Sequence, residues 1–181
     1  MTKRFAAAHP APAGESQPGA GRVTGLADAL ASFATGVTLV VAADGRDDIG
    51  TTVSAFCPVS LSPPLVLVSL TASSYPAEVL SRVDLFAVTV LSAGQRALAG
   101  RFAVAGRPGA RLLLEGTPHH RGEKSGALIP DGGLAALECM ATERVPAGDH
   151  LLVIARVLAI PYVSDAGDPL IRFAGRYPAV R

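Results

Sequence analysis

Tryptophan is absent from this chain, and aromatic residues make up only 5% of its 181 positions. The hydrophobic fraction is 49%, so a core has to be filled by Val, Leu and Ala. Cysteine is scarce. Cys57 and Cys139 are too few and too far apart for a disulfide framework or a zinc knuckle, and both are expected as buried, reduced thiols. Charge is nearly balanced at a formal +1, which gives no reason to expect nucleic acid or an acidic membrane surface as partner. No apolar run reaches the roughly 18 residues of a membrane span. The start has a basic flank but no sustained apolar region, so no secretory signal is read and the cytoplasm is the expected compartment. The usual catalytic signatures are missing too: no Gly-x-Gly-x-x-Gly, P-loop, His-Glu-x-x-His or Gly-x-Ser-x-Gly. Adjacent His119 and His120 diverge on a strand, and Glu138 and Glu143 fall on opposite faces of one. Neither pair suits metal binding or general acid–base work, and no metal site is expected.

What is present is a β-rich chain with few helices. Residues 1–22 are rich in Ala, Pro and Gly without periodicity and are expected as a disordered tail, with one domain over 23–181. Leu26, Leu30 and Phe33 mark one face of a short helix that Gly36 ends. Val37 to Ala43 reads as a buried strand, followed by a hairpin turn at residues 44–48. The stretch from Gly50 to Leu70 reads as a strand, a break at Cys57-Pro58, a loop to Pro63-Pro64, and a second strand. Its small residues would let a flat, polar-edged molecule approach the backbone closely. Ser74 and Pro76 mark a helix start whose N–H groups suit a phosphate, with Ser73 and Ser74 adding hydroxyls. Leu85 to Leu91 is a further strand, and Ser92 to Gln95 fits a capping box before a helix reaching Val104. Residues 105–132 form a long irregular connection with one short strand at Leu112 to Glu115. Leu134 to Val145 and Leu151 to Ile160 read as a long hairpin, with His150 just after its turn, and a last strand runs from Pro169 to Phe173. Six or seven strands against three short helices predict a closed or partly closed β-barrel with appended helices.

Taken in order, several segments resemble one family. These are Phe33-Ala-Thr-Gly-Val-Thr, Gly50-Thr-Thr-Val-Ser-Ala-Phe, Val59-Ser-Leu-Ser-Pro-Pro-Leu-Val-Leu-Val-Ser-Leu, and Phe86-Ala-Val-Thr-Val-Leu-Ser with Gln95. Arg101-Phe-Ala, Gly148-Asp-His and Gly175-Arg-Tyr follow. The sequence from about residue 24 to 178 is similar to the short-chain flavin reductases, the reductase components of two-component flavin-dependent monooxygenases. The resemblance implies a mainly β fold with short flanking helices, the FMN-binding split barrel, and a homodimer. It implies hydride transfer from NADH, less so NADPH, to FAD or FMN, with free reduced flavin passed to a partner monooxygenase. NADH and FAD are the favoured pair. By the same resemblance Thr51, Thr52, Val53, Ser54 and Ala55 line the isoalloxazine ring, and Ser69, Leu70 and Thr71 form the next wall. Ser73, Ser74 and Tyr75 hold the ribityl phosphate, and Arg101, Phe102 and Ala103 close the site. His150 and Tyr177 orient the nicotinamide dinucleotide, and Asp28 touches it. His150 is the one candidate catalytic residue. Three positions depart from the family pattern: Pro58 in place of Ser or Thr, Thr89 in place of Asn, and Ala155 in place of Gly. A non-catalytic flavin carrier on the same barrel is the alternative, and His150 with Tyr177 argues against it.

Overall fold

The computed structural model describes residues 25–45 and 47–179; the tail expected over 1–22 lies outside them. In chain order the elements are α1 (Leu26–Ala31), β1 (Thr35–Gly36), β2 (Thr38–Asp44), β3 (Asp47–Val53), β4 (Phe56–Leu61) and β5 (Pro64–Thr71). Then come α2 (Tyr75–Arg82), β6 (Leu85–Val90), a 3-10 turn (Ala93–Gln95), α3 (Arg96–Ala103), α4 (Ala110–Leu113), β7 (His119–Arg121) and β8 (Leu128–Pro130). The chain finishes with β9 (Ala135–Ala147), β10 (His150–Val163) and β11 (Ile171–Arg172).

Seven strands form one antiparallel sheet in the order β3-β2-β6-β9-β10-β5-β4. Its two edge strands, β3 and β4, are consecutive in the chain, and only Ser54 and Ala55 separate them. Two residues span about 7 Å. The sheet must therefore curl until its edges nearly meet, and Ala55, beside the seam, extends the β4–β5 ladder by accepting the Ser69 N–H at 3.0 Å. The result is a barrel split between β3 and β4, as expected for the fold class.

Alternation across the curled sheet produces two core layers. Val40 and Ala42 of β2, Val53 of β3, Val68 of β5, Phe86 and Val88 of β6, and Val153 of β10 fill the interior, with Ala77, Val79 and Leu80 of α2. Leu39 and Val41 point the other way and pack under Leu98, Ala99 and Phe102 of α3, Ala110 of α4 and Ile129 of β8. Because β2 is covered on both faces, residues 39–43 read as an unbroken apolar run. Phe86 and Phe102 are fully buried, each contributing roughly 1.5–3 kcal/mol by removal from water.

Several local expectations change. The break in the organising stretch falls at Ser54-Ala55, not at Cys57-Pro58. Pro58 sits within β4, which tolerates it because β4 is an edge strand, and a bulge follows between Pro58 and Ser60. Residues 110–113 are helical, not a strand. Gly36 lies in β1, and Ser32 ends α1. No residue of α1 is buried, so its apolar face has no partner within the described chain. Cys139 is buried as expected, and burial with the nearby Glu138 charge pushes its thiol up to about 12, but Cys57 is exposed. The capping-box reading of Ser92 and Gln95 is supported by Gln95 Oε1, which accepts the Ser92 N–H at 3.1 Å.

Candidate functional site

The seam of the barrel opens into a cavity of about 890 Å³, lined along one side by Gly50, Thr51, Thr52, Val53, Ser54 and Ala55. This size lies near the upper end of small-molecule pockets. β3 is an edge strand, so the N–H and C=O groups on its outer side have no sheet partner; Gly50 O takes the Arg107 Nε–H at 2.7 Å, and the groups beyond it face the cavity. Ser69, Leu70 and Thr71 of β5 form the adjoining wall, and Ser73, Ser74 and Tyr75 stand at the start of α2. There Ser74 is the N-cap, its Oγ accepting the Ala77 N–H at 3.3 Å. Pro76 in the first turn gives up no bonded N–H, so the sequence itself fixes where this helix begins.

His150 also lines the cavity. The tight turn at Gly148 (φ +62°) and Asp149 delivers it to the first position of β10, opposite Thr71. Its Nδ1 lies 2.7 Å from Asp149 Oδ1, and this hydrogen bond with the imidazole charge holds the Asp149 carboxyl below the usual carboxylate range. The bond ties up Nδ1, and Nε2 has no hydrogen-bond partner among the described residues.

Four expected residues are not brought here. Phe102 lies fully buried beneath Gly50, where α3 packs on β3. Arg101 turns away and donates to Leu113 O at 3.2 Å, leaving only Ala103 of that trio at the cavity. Tyr177 packs on the outer core layer, with the Arg96 guanidinium 5.7 Å from its ring centroid. Asp28 stays on the exposed α1. Conversely, the lining that adjoins β3 is built by Ala105, Gly106, Arg107, Pro108 and Gly109, a stretch whose sequence reads as an irregular connection. The available signals were the length of that connection and its Gly-Arg-Pro-Gly run, a turn sequence carrying a lone cation.

Just behind this wall Asp48 is fully buried at its side chain and joins two elements of the outer layer. It accepts from Arg111 at 2.6 Å and from Arg121 at 2.9 and 3.1 Å. Burial alone would raise its pKa, but the hydrogen bonds and charges of Arg121 and Arg111 outweigh that and hold it below the ordinary value. Glu138 is buried in a similar way. Burial is again outweighed, here by the N–H groups of Ser125, Lys124 and Glu123 and the Ser125 hydroxyl. Among the described residues no group of three or more His, Cys, Asp or Glu is placed to hold a metal, and no helix is long and apolar enough to cross a membrane.

The sequence profile of the flavin reductase like domain matches residues 30–181. The chain belongs to the flavin reductase family. The NADH-dependent FMN reductase AsuE2 of Streptomyces nodosus subsp. asukaensis is 35% identical over 153 residues, covering 84% of this chain and 82% of that protein. The reductase component of 4-hydroxyphenylacetate 3-monooxygenase from Thermus thermophilus is 36% identical over 150 residues, covering 83% and 91%. The solved structure of the Streptomyces globisporus NADH:FAD oxidoreductase SgcE6, in complex with NAD and FAD fragments, superposes with a TM-score of 0.80 at 30% identity. It covers 88% of this chain and 93% of that one. The fold is thus the split barrel of the flavin reductases, and the chain is an oxidoreductase of that family.

Proposed function

We propose that this flavin reductase oxidises NADH with a free flavin, FAD or FMN, and releases the reduced flavin to a separate monooxygenase in the cytoplasm. The observation that carries the reading is the open edge of β3, unpaired backbone facing a cavity that also holds a helix start. A flavin there has its polar ring edge against residues 51–55 and its phosphate near Ser73 and Ser74. The two cofactors bring the redox chemistry with them, a hydride passing from the nicotinamide ring to the flavin ring. The chain itself binds, orients and excludes water. Edge-strand N–H groups stabilise negative charge on the ring as it becomes reduced, and need no reorganisation to do so. The small side chains of Ser54 and Ala55 let two flat rings lie in contact. Hydride transfer itself requires no general acid or base from the chain.

His150 positions the dinucleotide from the cavity rim. His150→Ala is expected to raise KM for NADH roughly tenfold, a loss of about 1.4 kcal/mol, while flavin affinity by fluorescence quenching stays unchanged. An unchanged KM for NADH would remove the assignment. The protein acts as a homodimer in this reading. Leu158 and Ile160 on one face of β10 and Leu61 at the β4–β5 turn are exposed, an unusual face for a monomer. Light scattering is expected to give a dimer, and Ile160→Asp to give a monomer; a monomeric wild type contradicts this.

A further inference from the structure

Arg107 stands apart from the other cations. Among the described residues, only Arg107 and Arg144 are half-buried cations; the rest are exposed. Arg144 is paired with Asp84 at 2.6 Å. Arg107 has no such partner. Its Nε donates to Gly50 O at 2.7 Å and its Nη1 to Val104 O at 2.9 Å, and no described carboxylate forms an ion pair with it. A guanidinium carries five N–H donors, so three remain. Desolvation lowers its pKa, the mark of a charge drawn out of water without a counter-ion. The side chain lines the cavity.

Its place along the cavity is set by the strand register. β3 runs from Asp47 to Val53, and Gly50 precedes the ring wall at residues 51–55. Asp47 is opposite Asp44, and Asp44 accepts the Tyr75 hydroxyl at 3.3 Å. The start of α2 therefore approaches the first half of β3, and Arg107 is anchored at Gly50, three residues on from Asp47. Helix start and guanidinium line the same cavity, and Arg107 enters it just before the ring wall begins.

We propose that Arg107 is the counter-ion of the flavin phosphate and makes the site select phosphorylated flavins over riboflavin. The inference rests on the reading that the cavity takes flavin. The two carbonyl bonds pre-orient the fork, so little side-chain entropy is lost when the phosphate arrives.

The test compares kcat/KM for FMN, FAD and riboflavin in the wild type, Arg107→Met and Arg107→Lys, with thermal melts to check folding. Wild type should favour FMN and FAD. Arg107→Met should lower the FMN-to-riboflavin ratio at least tenfold, and Arg107→Lys should recover part of it. In the wild type alone, rising salt should narrow the gap between FMN and riboflavin dissociation constants. Equal loss for all three flavins would make Arg107 a mere strap between Gly50 and Val104 and overturn the proposal. So would a rise in KM for NADH with the flavin ratio unchanged, which would assign it to the dinucleotide's phosphates. So would a wild-type salt response that is the same for FMN and riboflavin. If the wild type reduces no flavin at all, the functional reading fails; if it reduces riboflavin as readily as FMN, only the Arg107 assignment does.

Discussion

Replacing both Arg111 and Arg121 with alanine is expected to cost about 3–5 kcal/mol of stability at neutral pH. The two arginines are largely exposed, but the carboxylate they share is not: the Asp48 side chain has no accessible surface. Removing the cations leaves a buried charge with no partner, whereas Asp48→Asn leaves only solvated cations and is expected to cost less. Either arginine alone should be replaced at smaller cost, because the other still answers the carboxylate. The pH dependence should invert as well. In the wild type the folded-state pKa of Asp48 lies below its unfolded value near 4, so its contribution is present above that value and lost as pH falls through the folded pKa. In the double variant, burial without compensation puts the folded pKa above the unfolded one. Stability from this group then declines as pH rises from about 4 toward the new folded pKa. Urea melts across pH 4 to about 7 read both effects. A double variant with the wild-type slope would show that Asp48 is solvated, contrary to its burial.

Gly50→Val is the second large effect, and it joins fold to site. A Cβ at Gly50 would lie 2.5 Å from Phe102 Cε1 and 2.9 Å from Cδ1, with Ala110 Cβ at 3.4 Å beyond. Phe102 is fully buried and cannot swing clear. The strain must move α3, and α3 leads into the wall that carries Ala105 to Gly109. A loss of about 1–3 kcal/mol is expected from overpacking, with flavin affinity weakened on the order of tenfold as the wall shifts. Phe102→Leu should rescue both in the Gly50→Val background by making room. Unchanged melting and flavin binding in Gly50→Val alone would show that α3 does not position the site.

The sequence is legible where one residue type has one physical use. Proline after Ser74 marks the start of α2, glycine at 148 makes the hairpin turn that delivers His150, and the apolar run at 39–43 reports a strand covered on both faces. The ring wall at residues 51–55 was placed by resemblance, and the structure lines a cavity with it. Pro58 misled, because proline signals a break in a central strand but is harmless on an edge, and edge position depends on the pairing of distant strands. Their motif marks Phe102 and Arg101 as site residues, yet which face of α3 meets β3 is settled by Gly50, whose missing side chain leaves room for the ring. Arg107 is not legible for the same kind of reason: its meaning comes from the carbonyl of Gly50, 57 positions away, and from having no ion-paired carboxylate among the described residues.

In the proposed function this seam brings a nicotinamide and a flavin together for hydride transfer. Mixing the purified protein anaerobically with NADH and free FAD or FMN, and following both absorbances, tests it directly. Nicotinamide and flavin absorbance should fall together in equal molar amounts, with many flavins turned over per chain. NADH that persists beside every flavin offered would contradict the account, as would a single tightly held flavin that reduces once and never leaves.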